Sequence, residues 1–255
     1  MSIKKKRGVV VFLDALGVSK YTQIDQFLKF CKDLEDLKKE TNYIWAQWKS
    51  KFEKDGILLP DPEIAFFQDS LIVCFPEPEK DAEGTLHNFF AAQNWLMQAL
   101  VMATAKKLFL RGAISNGDYI FTESTRSVAV LGTPVVDASY YEKWGDWIGV
   151  IQTPTFQWHY LAALKDYEKG NGKSLEESIQ YHSKFYVKYE VPLKTGNIHE
   201  CFVVNWPTLT KKTGAKEVRA SLMEGMESAD PENKAKYGNT LIFLDFCEQN
   251  GYFIE

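Results

Sequence analysis

The sequence predicts an α+β fold, with a central, mostly antiparallel sheet flanked by helices. Three observations carry the prediction. Val9 to Leu13 is a short continuous apolar run ending at a carboxylate, Asp14, and such a run reads as a strand buried on both faces. Ile64–Phe67 and Leu71–Phe75 are two apolar runs with only Gln68, Asp69 and Ser70 between them, a hairpin with a very short turn and an acid at its tip. Helical periodicities lie between and after these strands, so the chain reads strand–helix–strand twice over.

Taken in order, Asp14 closes the first strand and Gly17 gives the chain freedom to turn. Ile24, Phe27, Leu28, Cys31 and Leu34, then Ile44, Trp45, Trp48 and Phe52, recur at helical spacing. The polar centre, Lys38 to Asn42, suggests two helices or one with a break. Pro60-Asp61-Pro62 is a rigid loop into the hairpin, and Pro76 and Pro78 close its second strand. Leu86, Phe89, Phe90, Gln93, Leu96, Met97 and Leu100 mark a helix with a wide apolar face. Leu108 to Ile114 is a strand, Asn116-Gly117 a tight-turn signal, and Tyr119 to Phe121 the return strand. Ser127 to Leu131 is another short strand. Pro134 opens a helix on which Val135, Ala138, Tyr141 and Glu142 share a side. Ile148 to Gln152 reads as a strand, Thr155 to Lys169 as a helix and Gly170 to Gly172 as a surface loop. Phe185–Val191 and Cys201–Trp206 read as a β-ribbon, Thr208 to Lys216 as a basic loop, and Pro231 to Asn250 as a final helix. The order through Trp147, strand, helix pair, hairpin, helix, hairpin, helix, holds the ferredoxin-like βαββαβ arrangement. There the first strand and the hairpin are neighbours, which places Asp14 beside Asp69.

Composition bounds the function. The 255 residues carry a formal net charge of −4, which argues against broad binding to nucleic-acid phosphates. The basic opening Lys4 to Arg7 reads as a solvated end. Cys31, Cys74, Cys201 and Cys247 are far apart, lie in apolar-patterned segments and read as buried free thiols of a reducing compartment. No stretch approaches the ~20 apolar residues of a membrane helix, and no signal peptide is evident. A cytoplasmic location without membrane association is expected. No linker divides the chain, so residues 1–255 read as one domain, a core of about 8–153 with an elaboration of about 154–255.

Four motifs in order resemble those of class III nucleotidyl cyclases. F-L-D-A-L-G is similar to their metal-binding first strand, and F-Q-D-S-L to the hairpin carrying their second metal acid. L-R-G-A-I-S-N-G-D is similar to their R-x-G-I-x-x-G strand, and L-G-T-P-V-V-D-A-S-Y-Y-E to the start of their ribose-binding helix. The likeness spans Gly8 to Trp147. It departs at three positions: the ribose-binding Asn falls on Val136, the transition-state Arg on Tyr140, and the base-reading residue on Ala129. Intact metal acids with replaced purine-reading positions resemble the bacterial pyrimidine cyclases of the anti-phage system called Pycsar, which make cyclic UMP or cyclic CMP.

The resemblance implies attack of the ribose 3′-oxygen of a nucleoside triphosphate on its α-phosphorus, with pyrophosphate leaving. It implies two divalent ions, Mg²⁺ or Mn²⁺, held by Asp14, Asp69 and the Ala15 carbonyl. Taken singly, Asp14 reads as well as a helix N-cap and Asp69 as a turn residue; on neighbouring strands they read as a metal pair. Arg126, Lys184 and Lys188 are candidate triphosphate contacts, each weighed against a plain surface charge. Tyr140 is a candidate for stacking on the base and Ala129 lines the base position. Arg111 reads as a buried pairing with a core acid, while Glu142 and Lys143 read as solvated helix charges. The four histidines, His87, His159, His182 and His199, show no ligand spacing. A homodimer with sites at the interface follows from the resemblance, with UTP favoured over CTP. The competing readings are a purine cyclase, a catalytically silent cyclase-like nucleotide-binding domain, and a polymerase-like palm.

Overall fold

The computed structural model describes residues 4–18, 21–54, 56–78, 82–124, 127–171, 184–210 and 212–252. The organising strand, β1 (Lys5–Ala15), is covered on both faces. Val9, Val11, Leu13 and Ala15 face the main core, while Val10 packs with Ala65, Ile72, Cys74 and Tyr119 on the opposite side. This two-sided burial is why the strand reads as an unbroken apolar run rather than an alternation.

The hairpin β2 (Glu63–Phe67) and β3 (Ser70–Pro76) lies beside β1, and β4 (Leu110–Glu123) lies on its other flank. β1 is antiparallel to both, with Asp14 opposite Ser70 on one side and Arg111 on the other. The sheet continues through β6 (Val150–Gln152), β8 (Ile198–Val204) and β7 (Tyr186–Pro192), while β5 (Val128–Gly132) pairs with the far half of β4. The order β2-β3-β1-β4 is that of the expected ferredoxin-like core. Among the described residues, the only parallel pairing is β4 with β6. The C-terminal ribbon is welded to the core sheet through Ile151 and Val203.

Helices α1 (Ile24–Lys54), α2 (Ala82–Ala105) and α4 (Pro154–Asn171) cover the main face. α1 is continuous, so the break expected at Lys38 to Asn42 is absent. Its buried residues, Phe30, Leu34, Leu37, Thr41 and Trp45, form one stripe, and Thr41 satisfies its buried hydroxyl by donating to the Leu37 carbonyl at 2.8 Å. The polar residues around it face outward, which a helix tolerates. α2 lies between α1 and α4 and is buried nearly all round.

Three further expectations are corrected. Asn116-Gly117 does not turn: β4 runs straight through it, because β1 pairs with β4 from Lys5–Ile120 to Ala15–Leu110. An eleven-position ladder outweighs a dipeptide preference, and β4 instead pairs with β5 from Tyr119–Gly132 to Glu123–Val128. The basic loop at Thr208 to Lys216 is a 3₁₀ turn (Trp206–Leu209) followed by a helix, α5 (Lys212–Ser228), which packs on the last helix, α6 (Pro231–Gln249). Cys31 is exposed, whereas Cys74 and Cys247 are buried as expected; all four thiols are free. Gly172 and His182 lie outside the described residues.

Candidate active site

Asp14 and Asp69 meet at the end of β1. The hairpin turn consists of Gln68 and Asp69, with Gln68 in the left-handed region at φ 55°, a conformation that costs a side-chain-bearing residue about 1 kcal/mol. The Ala15 amide donates to the Asp69 carbonyl at 2.9 Å, which ties this turn to the strand end. Gly17 follows at φ +84°, turning the chain away. The loop thus leaves a polar cleft of about 360 Å³ lined by Asp14, Ala15, Asp69, Arg111, Lys194 and Lys236, among others.

Arg111 enters from β4. It is opposite Asp14 in the ladder, and the neighbouring Gly112 lets β4 approach β1 closely: a Cβ there would lie 2.0 Å from the Phe12 carbonyl oxygen. The Arg111 guanidinium donates from Nε (3.1 Å) and Nη2 (2.9 Å) to the same Asp14 oxygen, Oδ2. Nη2 is also 2.8 Å from Oε1 of Glu142, a contact of charges without good hydrogen-bond alignment. Nη1 is buried and has no hydrogen-bond partner. Glu142 comes from α3 (Thr133–Glu142), which lies across β1 and β4 and buries Pro134, Ala138 and Glu142 along one stripe. The expected buried pairing of Arg111 is therefore present, with two acids rather than one. Glu142, expected in solvent, is instead a buried member of the cluster, its side chain 4% exposed.

The electrostatics follow from this crowding. Burial pushes the Asp14 carboxyl above its ordinary range, Arg111 pulls against that, and the nearby Asp69 charge adds to the rise. Burial likewise raises Glu142, with Arg111 opposing. Lys194 is lowered by burial and by the Arg111 charge.

Sequence reasoning missed two cations. Lys194 sits in the turn between β7 and β8, and its amide bonds to the Trp144 carbonyl just past α3. Lys236, on the first turns of α6, bonds to Asn233 Oδ1 at 2.9 Å and lies 3.5 Å from Asp146. Neither has a local sequence signal; a lysine in a hairpin turn or on a helix is ordinarily solvated.

The other expected residues stand elsewhere. Lys188 is on the outer strand β7, paired with Glu200 at 2.6 Å, and does not line the cleft. Arg126 lies outside the described residues. Ala129 is half-buried on β5, opposite Thr122. Val136 and Tyr140 are exposed on α3 and line an open apolar hollow with Gly132, Thr133 and Asp137.

Among the described residues no three His, Cys, Asp or Glu side chains form a metal-binding group. Three carboxylates line the cleft, Asp14 and Asp69 at adjacent strand ends and Glu232 on α6, and the charge of Asp69 opposes that of Asp14. Hard cations such as Mg²⁺ are held by one or two carboxylates plus substrate phosphates, so the residues present fit a divalent ion that arrives with a phosphorylated ligand. No described helix is long and apolar enough to cross a membrane.

No family model matches the chain, and no curated protein matches it by sequence. Solved structures do resemble it. The catalytic core of a rhodopsin-guanylyl cyclase with converted specificity, in complex with ATPαS, superposes with a TM-score of 0.50 at 13% identity, over 80% of this chain and 98% of that one. The non-canonical dimeric guanylyl cyclase domain of the RhoGC fusion protein from the aquatic fungus Blastocladiella emersonii gives 0.50 at 12% identity, over 79% and 97%. The chain has the α+β fold of class III nucleotidyl cyclase catalytic cores.

Proposed function

We propose that this protein is a nucleotidyl cyclase that acts on a pyrimidine nucleoside triphosphate, converting UTP to 3′,5′-cyclic UMP and pyrophosphate. The observation that carries the reading is the meeting of Asp14 and Asp69 at adjacent strand ends, in a cleft that also holds Lys194 and Lys236. Two divalent ions, Mg²⁺ or Mn²⁺, when bound by Asp14, Asp69 and the Ala15 carbonyl, supply activation of the 3′-hydroxyl and neutralisation of the triphosphate. The chain's own part is positioning and charge. Asp14 and Asp69 present fixed carboxylates from a rigid sheet. Lys194 and Lys236 bind the β- and γ-phosphate oxygens, where negative charge accumulates as pyrophosphate departs.

The nucleoside half of the site is assigned to a second copy. Val136 and Tyr140 are exposed on α3, turned to solvent beside an apolar hollow of about 560 Å³, and a flat base fits such a surface by stacking. In a head-to-tail homodimer this hollow, with Ala129 nearby, covers the acids of the partner. The pyrimidine preference, with CTP the alternative substrate, and a role in bacterial defence against phage rest on the replaced purine- and ribose-reading positions. The Arg111–Asp14 pairing favours one second reading, a silent nucleotide-binding domain.

The test is turnover with UTP, CTP, ATP and GTP, each with Mn²⁺, and products resolved by mass. A cyclic pyrimidine nucleotide supports the proposal. A cyclic purine product corrects the base, and no cyclic product from a folded dimer supports the silent domain.

A further inference from the structure

Arg111 is shared between two acids whose surroundings differ. Asp14 borders the open cleft, with the Asp69 charge close by. Glu142 lies at the buried end of α3, and its described ion pair is the one with Arg111. The same nitrogen, Nη2, is 2.9 Å from Asp14 Oδ2 and 2.8 Å from Glu142 Oε1, while Nη1 is saturated by neither. We propose that Arg111 is a built-in counter-ion that competes with a divalent cation for Asp14, and that Glu142 retains the guanidinium when the cation takes its place.

The inference rests on the assignment of Asp14 as a cation ligand. The chemistry follows from what a guanidinium does not do. It keeps its proton at any ordinary pH, so a metal ion approaching Asp14 meets a fixed positive charge already on Oδ2. A cation that takes Oδ2 displaces the guanidinium, and one that takes the other oxygen, Oδ1, is weakened by its repulsion. Arg111 is held by Glu142 on its other side, so it shifts along a contact that already exists instead of leaving a carboxylate buried alone. By linkage, whatever strengthens the hold of Arg111 on Asp14 weakens the cation by the same factor. The two acids therefore have opposite effects: Asp14 is the contested ligand, and Glu142 draws the competitor away from it. A merely structural clamp between α3 and β4 has no such asymmetry.

The experiment is Mn²⁺ titration of the intact protein without nucleotide, free ion being read by electron paramagnetic resonance. Arg111→Gln is expected to bind Mn²⁺ about tenfold more tightly, and Glu142→Gln about tenfold more weakly because Arg111 then rests on Asp14 alone. Arg111→Lys keeps the charge and loses the fork; it is expected to tighten binding by a smaller factor and serves if Arg111→Gln does not fold. Unchanged or weaker binding in the Arg111 variants overturns the inference. Asp14→Asn separates the two levels of failure. If it abolishes Mn²⁺ binding while the Arg111 variants change nothing, only the counter-ion role falls. If it too changes nothing, the ligand assignment falls with it.

Discussion

At the start of β1, Lys6 pairs with Glu63, which also accepts a hydrogen bond from the Tyr119 hydroxyl at 3.2 Å. At the end of the same strand, on the same face, Asp14 pairs with Arg111, which reaches Glu142. Both clusters are charged, partly buried and cross-strand. The first is closed: Glu63 uses both carboxylate oxygens within the protein, and Cys74 and Tyr119 beneath it are buried. The second is open: two like-charged acids sit together, a guanidinium nitrogen has no partner, and the cluster borders a polar cleft with two lysines. A charge that a fold needs is paired and covered. A charge left beside its like, at a sheet end and facing a cleft, is held for something that binds.

The comparison breaks first at turnover. Asp14→Ala and Asp69→Ala are each expected to lower cyclic-nucleotide formation by at least about a hundredfold, with the far-ultraviolet circular dichroism of the fold retained. Glu63→Ala should do the reverse. Stripping Lys6 and the Tyr119 hydroxyl of their partner costs about 1–3 kcal/mol, seen as a lower unfolding midpoint, while KM and kcat per folded molecule hold. A smaller change is expected from Lys194→Ala and Lys236→Ala, about tenfold in KM for the triphosphate; an unchanged KM in both would remove the lysines from the phosphate site. Smallest is a pH effect away from either cluster. Burial lowers the His159 imidazole below its ordinary value of 6.5, so the unfolded chain takes up its proton before the folded one does. Stability from this residue is present above pH 6.5 and is lost as pH falls below it. His159→Gln should flatten that acid limb in urea unfolding curves at pH 5 to 7.

The closed and open ends differ in how legible they are. The meeting of Asp14 and Asp69 is readable because it depends on strand identity and on the connection order, both of which the apolar runs report. Arg111 is readable as a buried cation, since it follows Phe109 and Leu110 on a strand. Glu142 shares a stripe with Pro134 and Ala138, at steps of four, and that spacing signals burial; the acidic side chain argued for solvent and the stripe prevailed, because Arg111 waits beneath it. Lys194 and Lys236 are brought in by the C-terminal ribbon and α6, whose docking depends on long-range contacts such as that between Ile151 and Val203. No local pattern encodes that docking. The Asn116-Gly117 signal failed for the same reason in reverse, because pairing with β1 holds it extended.

The most direct test is a side-by-side turnover measurement of Asp69→Asn and Glu63→Gln with Mn²⁺ and the preferred triphosphate. Both remove one charge and keep the side-chain shape. The open-and-closed account predicts that Asp69→Asn loses cyclic product while remaining folded, and that Glu63→Gln forms it at the wild-type rate. Full turnover by Asp69→Asn contradicts it.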